Sequence, residues 1–200
     1  MLWIVVTSPT FFSDEAMFLH RLLANGVDII HLRKPGALVS DCEHLLKEMS
    51  AEDRSHIVIH DFFELAKPYG LRGIHLNARR NTVPDGYKGH VSRSCHSLEE
   101  VRQYKDICDY VFLSPIFDSV SKQGYASAFT DSVLRLASEQ GIIDNKVVAL
   151  GGVTPDKISY LKSLNFGGAA MLGCINNMSK LDETELCVRL ADIRTSFSKL

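Results

Sequence analysis

The sequence predicts an α/β protein whose eight parallel strands close into a barrel surrounded by helices. Three observations predict it. Short apolar runs of strand length alternate along the chain with segments of helical spacing. The strand runs are apolar on both faces, as strands of a parallel sheet covered on both sides must be. The strands number eight, which favours closure over an open, doubly wound sheet. The 200 residues suit one domain, although barrels of this kind typically take ~250. The fold class is therefore a compact, single-domain (β/α)8 TIM barrel over residues 1–200.

The elements follow in order. Residues 2–7 form the first strand. Ser13 caps a helix with Asp14 and Glu15 in its first turn, Phe18, Leu19, Leu22 and Leu23 inward, and Gly26 past its end. Residues 27–32 form the second strand, and residues 40–49 carry helical spacing at Leu45, Leu46 and Met49. Residues 56–60 are the third strand, 62–69 a short helix, and 73–76 a brief fourth strand. Residues 77–89 hold Pro84, Gly86 and Gly89 and read as a loop without a helix, which helps explain the short chain. Residues 90–93 are the fifth strand. Ser97 to Glu100 is a capping box, with Glu100 placed to reach back to the cap. Residues 110–113 are the sixth strand, 118–128 a polar stretch that reads as a lid, and 131–140 a helix closed by Gly141. The last two strands begin at Val147 and Gly167, and residues 182–197 form the final helix.

The last two strands organise the rest. Val147-Val-Ala-Leu-Gly-Gly-Val-Thr-Pro-Asp156 runs from strand through Gly151-Gly152 to a helix start, with Thr154 as N-cap and Pro155 at the first helical position. Gly167-Gly-Ala-Ala-Met-Leu-Gly-Cys174 meets its own turn at Gly173. Bare N–H groups at such strand ends, with a helix dipole, favour a phosphate. In a barrel the last two strands sit side by side. The plainer reading is that the glycines only make tight turns.

Composition excludes several classes. Hydrophobic residues at 46% and charged residues at 23% are those of an ordinary globular protein. A net charge of −2 leaves no basic footprint for nucleic acid. No apolar run is long enough for a membrane span, and the N-terminus reads as a first strand rather than a signal peptide. The five cysteines, Cys42, Cys95, Cys108, Cys174 and Cys187, are scattered and form no CxxC pair, so they read as reduced thiols of a cytoplasmic chain.

In a parallel barrel the chemistry sits where strands run out into helices. Those positions collect His31 and Arg33, His60 and Asp61, His75 and Asn77, Arg93 to His96, then Ser114 and Pro115, with Ser119, Ser121 and Lys122 beyond. Together they make a cationic, hydroxyl-rich rim facing the glycines, so an anionic, phosphorylated small molecule is the expected ligand. Each has a plainer reading. Arg33 could be a rim ion pair, His60 and His75 hydrogen-bonded core histidines, His96 a turn-ordering residue, Lys122 a solvated charge, and Asp61 a helix cap. Cys95 reads as packing, and Arg79-Arg80 as exposed loop charges. Asp61 alone is well placed for a metal, which on its own makes no site.

This order of motifs resembles the thiamine phosphate synthases and their TenI-type relatives, the thiazole tautomerases. The resemblance spans nearly the whole chain, through His31-Leu-Arg33, Asp61-Phe-Phe-Glu-Leu-Ala66, Gly73-Ile-His75-Leu76, Ser94-Cys-His96-Ser-Leu-Glu-Glu100, Asp109 to Phe117 with Lys122, and Ala149-Leu-Gly-Gly152. It implies a (β/α)8 barrel and a thiazole phosphate held at Gly151, Gly152 and Gly173. In the synthases a pyrimidine pyrophosphate loses pyrophosphate, aided by Mg²⁺ and cations, and the thiazole nitrogen traps the cation. By that resemblance Arg33, Ser94 and Lys122 match pyrophosphate-binding positions, Asp61 a metal-binding position, and Ser119 and Ser121 positions where the family tends to have threonine.

The departures are specific. The family's R-x-K becomes Arg33-Lys34-Pro35, and Lys34 points to the other side of an extended chain. The family's Asn-Asp becomes His60-Asp61. A second acidic metal ligand aligns with Arg80, reversing a charge where Mg²⁺ belongs. The catalytic His of TenI-type enzymes aligns with Pro115, which is the synthase residue. The reading is a thiamine phosphate synthase-like transferase acting through Arg33, Lys122 and His60. The alternatives are a TenI-like tautomerase using His60, His31 or His96 as acid and base, and a non-catalytic protein binding thiazole or thiamine phosphate. Barrels of this size often pair, so a homodimer is an expected partner. If the Arg80 guanidinium fills the metal position beside Asp61, the synthase reading is dropped.

Overall fold

The structure, a computed structural model, describes residues 1–117 and 129–198. Its strands are β1 (Leu2–Val6), β2 (Ile29–Leu32), β3 (Ile57–Ile59), β4 (Gly73–Leu76), β5 (His90–Cys95), β6 (Tyr110–Leu113), β7 (Val147–Ala149) and β8 (Gly168–Met171). Each pairs in parallel with the next, and β8 returns to β1 through the register Leu2↔Gly168 to Val5↔Met171, closing the barrel.

The helices lie between the strands in sequence. α1 (Glu15–Ala24) follows β1, and α2 (Val39–Glu48) with the short α3 (Ala51–Arg54) follows β2. A single 3-10 turn, Phe63–Leu65, follows β3, and residues 77–89 between β4 and β5 contain no helix, as the turn residues there predict. Then come α4 (Leu98–Tyr104), α5 (Asp131–Glu139), α6 (Ile158–Ser163), α7 (Gly173–Asn176) and α8 (Glu183–Ser198). No described helix is long and apolar enough to cross a membrane.

Alternation along the strands splits the apolar residues into two cores. Trp3 and Val5 of β1 face outward into the layer shared with Leu19, Leu22, Leu46, Leu161 and Leu190 of the helices. Trp3 stacks on Phe197 of α8, ring centroids 5.3 Å apart. Ile4 and Val6 face inward and fill the barrel with Ile29, Val58, Tyr110, Phe112, Val148 and Ala170. The same period of two places His31, two residues beyond Ile29, inside the barrel.

Several local expectations are corrected. The N-cap of α1 is Asp14, at φ 60° and with no side-chain cap bond, rather than Ser13. The second strand starts at Ile29 because Gly26 and Val27 finish α1. The Gly26 N–H donates to the Leu23 carbonyl at 3.0 Å and the Val27 N–H to Leu22 at 3.1 Å, a Schellman ending. Helix α3 was not expected, although Ser50 caps it by accepting the Asp53 N–H. Ser97 does cap α4, but the Glu100 carboxylate takes the N–H of His96, at 2.6 Å, rather than that of Ser97. Thr154 precedes a 3-10 turn, Pro155–Lys157, and makes no side-chain cap bond.

Candidate active site at the C-terminal mouth

Because all strands are parallel, their C-terminal ends open on one mouth. Arg33 follows β2, His60 and Asp61 follow β3, Asn77 and Arg79 follow β4, Ser94 ends β5, Gly151 and Gly152 follow β7, and Gly173 follows β8. The structure thus brings the described part of the expected set together at one end of the barrel. Ser119, Ser121 and Lys122 lie outside the described residues, as does the expected lid at 118–128.

The cationic half is built around Asn77. Its Nδ2 donates to the carbonyls of His60 at 2.9 Å and His75 at 3.3 Å, while its Oδ1 accepts the N–H groups of Arg79 at 3.0 Å and Arg80 at 3.3 Å. That turn presents Arg79, whose Nη2 donates to Asp61 Oδ2 at 3.2 Å. Arg33 is half-buried, and its backbone N–H donates to Thr7 Oγ1 at 3.0 Å. Burial and the nearby Arg79 charge lower the Arg33 pKa, and Asp61 opposes them. Arg33, Arg79 and Asp61 therefore form one electrostatic group.

This geometry corrects three readings. Arg79 is not merely an exposed loop charge. Asp61 does not cap the turn after β3, whose N-cap is Phe62. Arg93 does not join the rim: its guanidinium lies over the Tyr104 ring at 3.9 Å and donates to the Asn81 carbonyl. Lys34 points away from the mouth as expected, and its Nζ donates to both carboxylate oxygens of Glu15, at 2.6 and 2.7 Å. His96 is exposed and bonds through Nδ1 to the Ser114 carbonyl, tying the ends of β5 and β6. Cys95 is fully buried and burial pushes its thiol up to about 12, so it is packing rather than chemistry.

The opposite half is bare backbone. Gly151 and Gly152 take φ 94° and 63°. A Cβ on Gly151 would stand 2.9 Å from Pro115 Cα, so glycine is required both by conformation and by space. The Phe117 N–H donates to the Gly151 carbonyl at 3.1 Å, which fixes the turn against the β6 end. Among the described residues none accepts the N–H of Gly151 or Gly152. The Cys174 thiol approaches the Val153 carbonyl at 3.6 Å, so the turns after β7 and β8 adjoin. Gly173 opens α7 with nothing within 4 Å of its Cβ position.

Histidines floor the mouth. His31 Nδ1 and His60 Nε2 share a hydrogen bond of 2.9 Å, and His31 Nε2 meets Tyr110 Oη at 2.6 Å. His75 lies between Ser92 Oγ and Ser94 Oγ, each 2.8 Å away. Ser94 therefore reaches the mouth as a neighbour of His75. Desolvation keeps all three rings neutral: it lowers His31 and His60 well below the usual histidine value and His75 to about 3. Nearby cations act the same way, Arg33 and Arg79 on His60 among them. Tyr110 and Ser92 were missed from sequence; their signal was inward alternation with Phe112 and Ser94.

Mg²⁺, which the family resemblance implies, needs hard oxygen ligands. Asp61, the carboxylate the resemblance assigns to the metal, is already paired with the Arg79 guanidinium. The position expected to supply a second acid holds Arg80. The described residues do not fit a Mg²⁺ site. The reason lies one residue from where the sequence pointed: Arg79, and not Arg80, neutralises Asp61.

A closed eight-stranded parallel barrel with charged side chains gathered where its strands end defines a TIM-barrel protein. Residues 3–175 match the family model described as thiamine monophosphate synthase. The chain belongs to that family, which serves thiamine biosynthesis. Its structure is similar to a thiamine phosphate pyrophosphorylase from Bacteroides thetaiotaomicron, with 40% identity, 98% of each chain covered and a TM-score of 0.89. A thiamine phosphate pyrophosphorylase from Pyrococcus furiosus shares the fold at 18% identity, TM-score 0.75, covering 98% of this chain and 94% of its own. A thiamine-phosphate synthase from Desulfitobacterium hafniense is 24% identical over 192 residues, 90% of this chain and 89% of its own.

Proposed function

We propose that this protein is a thiamine phosphate synthase-like transferase that joins a hydroxymethylpyrimidine pyrophosphate to a thiazole phosphate. The carbon–oxygen bond to pyrophosphate breaks, with the electron pair leaving on the pyrophosphate oxygen. The thiazole nitrogen lone pair then forms the new carbon–nitrogen bond. One observation supports the reading: Arg33 and Arg79, after β2 and β4, and the glycines Gly151, Gly152 and Gly173, after β7 and β8, share the C-terminal end of one barrel. Two anionic substrates need two anion sites, and the reading assigns one to the arginines and the other to the glycine turns.

In this reading Arg33 and Arg79 stabilise the departing pyrophosphate, with Ser94 and, from the loop, Ser119, Ser121 and Lys122 adding donors. The glycine N–H groups hold the thiazole phosphate. Asp61 positions Arg79 instead of binding metal, so no step runs through Mg²⁺. Support also comes from Pro115 at the synthase position and from the relatives' printed activities.

Purified protein given both substrates is expected to release pyrophosphate, and to keep doing so with a divalent-ion chelator present. Arg79→Ala should lower kcat by about 100-fold, the usual scale for one transition-state donor. No pyrophosphate release at saturating substrates rejects the reading. A second reading, thiazole tautomerase, is favoured by the Tyr110–His31–His60 hydrogen-bonded chain, which suits proton movement. It predicts isomerisation of a thiazole phosphate with no pyrimidine substrate present.

A further inference from the structure

We infer that His31, His60 and His75 form a binding site for one divalent transition-metal ion of the Zn²⁺ class, inside the barrel beneath the mouth. One nitrogen from each ring lies within 4.8 Å of the other two. A tetrahedral Zn²⁺ with bonds of 2.0–2.1 Å holds its nitrogens roughly 3.4 Å apart. His31 Nδ1 and His60 Nε2 are already at 2.9 Å. His60 stacks on His75 at 4.2 Å with the ring planes 25° apart, so completing the set takes a rotation of the His60 ring that turns its lone pair toward the other two, together with release of His75 Nε2 from Ser94 Oγ.

The surroundings are those of a metal site and not only of a packed core. A ligating histidine has its second nitrogen held by an acceptor that fixes the tautomer. Tyr110 Oη takes that place for His31 Nε2 at 2.6 Å, and Ser92 Oγ for His75 Nδ1 at 2.8 Å. Ser92 Oγ in turn donates to the Ile74 carbonyl at 3.4 Å, so it can accept from the ring. Three neutral imidazoles bind without losing a proton, each keeping its hydrogen on the nitrogen that faces away from the metal. An all-nitrogen set selects borderline ions such as Zn²⁺ or Co²⁺ and rejects Mg²⁺ and Ca²⁺.

The charges around the cluster fix the fourth ligand. Arg33 and Arg79 face His60 from the mouth, and Arg72 and His90 act on His31 from below. A bare dication is disfavoured in that field, so the fourth ligand is an anion, hydroxide or a phosphate oxygen entering past Ser94.

Chelator-stripped protein titrated with Co²⁺, with and without inorganic phosphate, tests the site. One Co²⁺ per chain, an intense tetrahedral visible spectrum, displacement by Zn²⁺ and tighter binding with phosphate are expected. His60→Asn should weaken uptake at least about 100-fold, and Tyr110→Phe about 10-fold or more. Failure of the wild-type protein to develop that spectrum overturns the inference, and so does an unchanged spectrum in His60→Asn, which would assign the ion to surface histidines. X-ray absorption of the wild-type cobalt protein, showing or lacking three imidazoles, decides the matter should the variants not fold. None of these measurements depends on whether the transferase reaction is found.

Discussion

Gly151 shows how one residue sets the geometry of the turn after β7 to which the proposal assigns the thiazole phosphate. Its φ of 94° and the 2.9 Å separation of a Cβ from Pro115 Cα act together. Alanine there incurs left-handed strain of about 1–3 kcal/mol. For a chain of this length that corresponds to a fall in Tm of roughly 3–10 °C. Gly151→Ala is expected to show that fall in thermal unfolding and also weakened thiazole phosphate binding, because relief of the clash moves the turn. Unchanged stability and affinity would show that the turn is neither strained nor part of the site. Glycine positions of this sort were legible in sequence, since a strand running into Gly-Gly demands an unusual backbone. Arg79 was not. Its placement depends on Asn77 accepting two successive N–H groups and donating to the ends of two strands, which no linear spacing reveals.

The elements are joined by a buried ion pair as well as by apolar packing. Lys34, just beyond β2, and Glu15, at the start of α1, are 1% and 2% exposed at their side chains. Lys34 Nζ also donates to the Thr10 carbonyl at 3.0 Å, so the pair fixes the β1–α1 connection beside the mouth. Removing one partner leaves a buried charge, and Lys34→Met is expected to cost about 3–5 kcal/mol in denaturant unfolding. The double variant Glu15→Leu/Lys34→Met should recover most of it, because two apolar side chains also avoid the desolvation penalty. Equal losses in the single and double variants would show that the pair is not the source. The sequence did indicate that Lys34 turns away from the mouth, through strand alternation. It did not indicate the partner, because an acidic residue in a first helical turn is accounted for by the helix dipole alone. Helix α3 was overlooked for a similar reason: four residues carry no periodicity, and Ser50 was the lone signal.

At the scale of the molecule, barrel closure was legible because eight apolar runs separated by helical segments have few other ways to bury both faces. Closure places every strand end on one rim, and this puts Arg33 and Gly152 at the same end of the barrel although more than a hundred residues separate them in the chain. The interior was less legible. His31, His60 and His75 were visible as strand-end histidines, but their mutual contacts, including the 4.2 Å stacking of His60 on His75, follow from how adjacent strands align. Calorimetric titration of thiazole phosphate into protein saturated with inorganic pyrophosphate tests the two-sided mouth most directly. The account predicts one further equivalent bound per chain, with affinity for pyrophosphate lost in Arg33→Ala and affinity for thiazole phosphate kept. Strict competition between the two anions for a single site would contradict it.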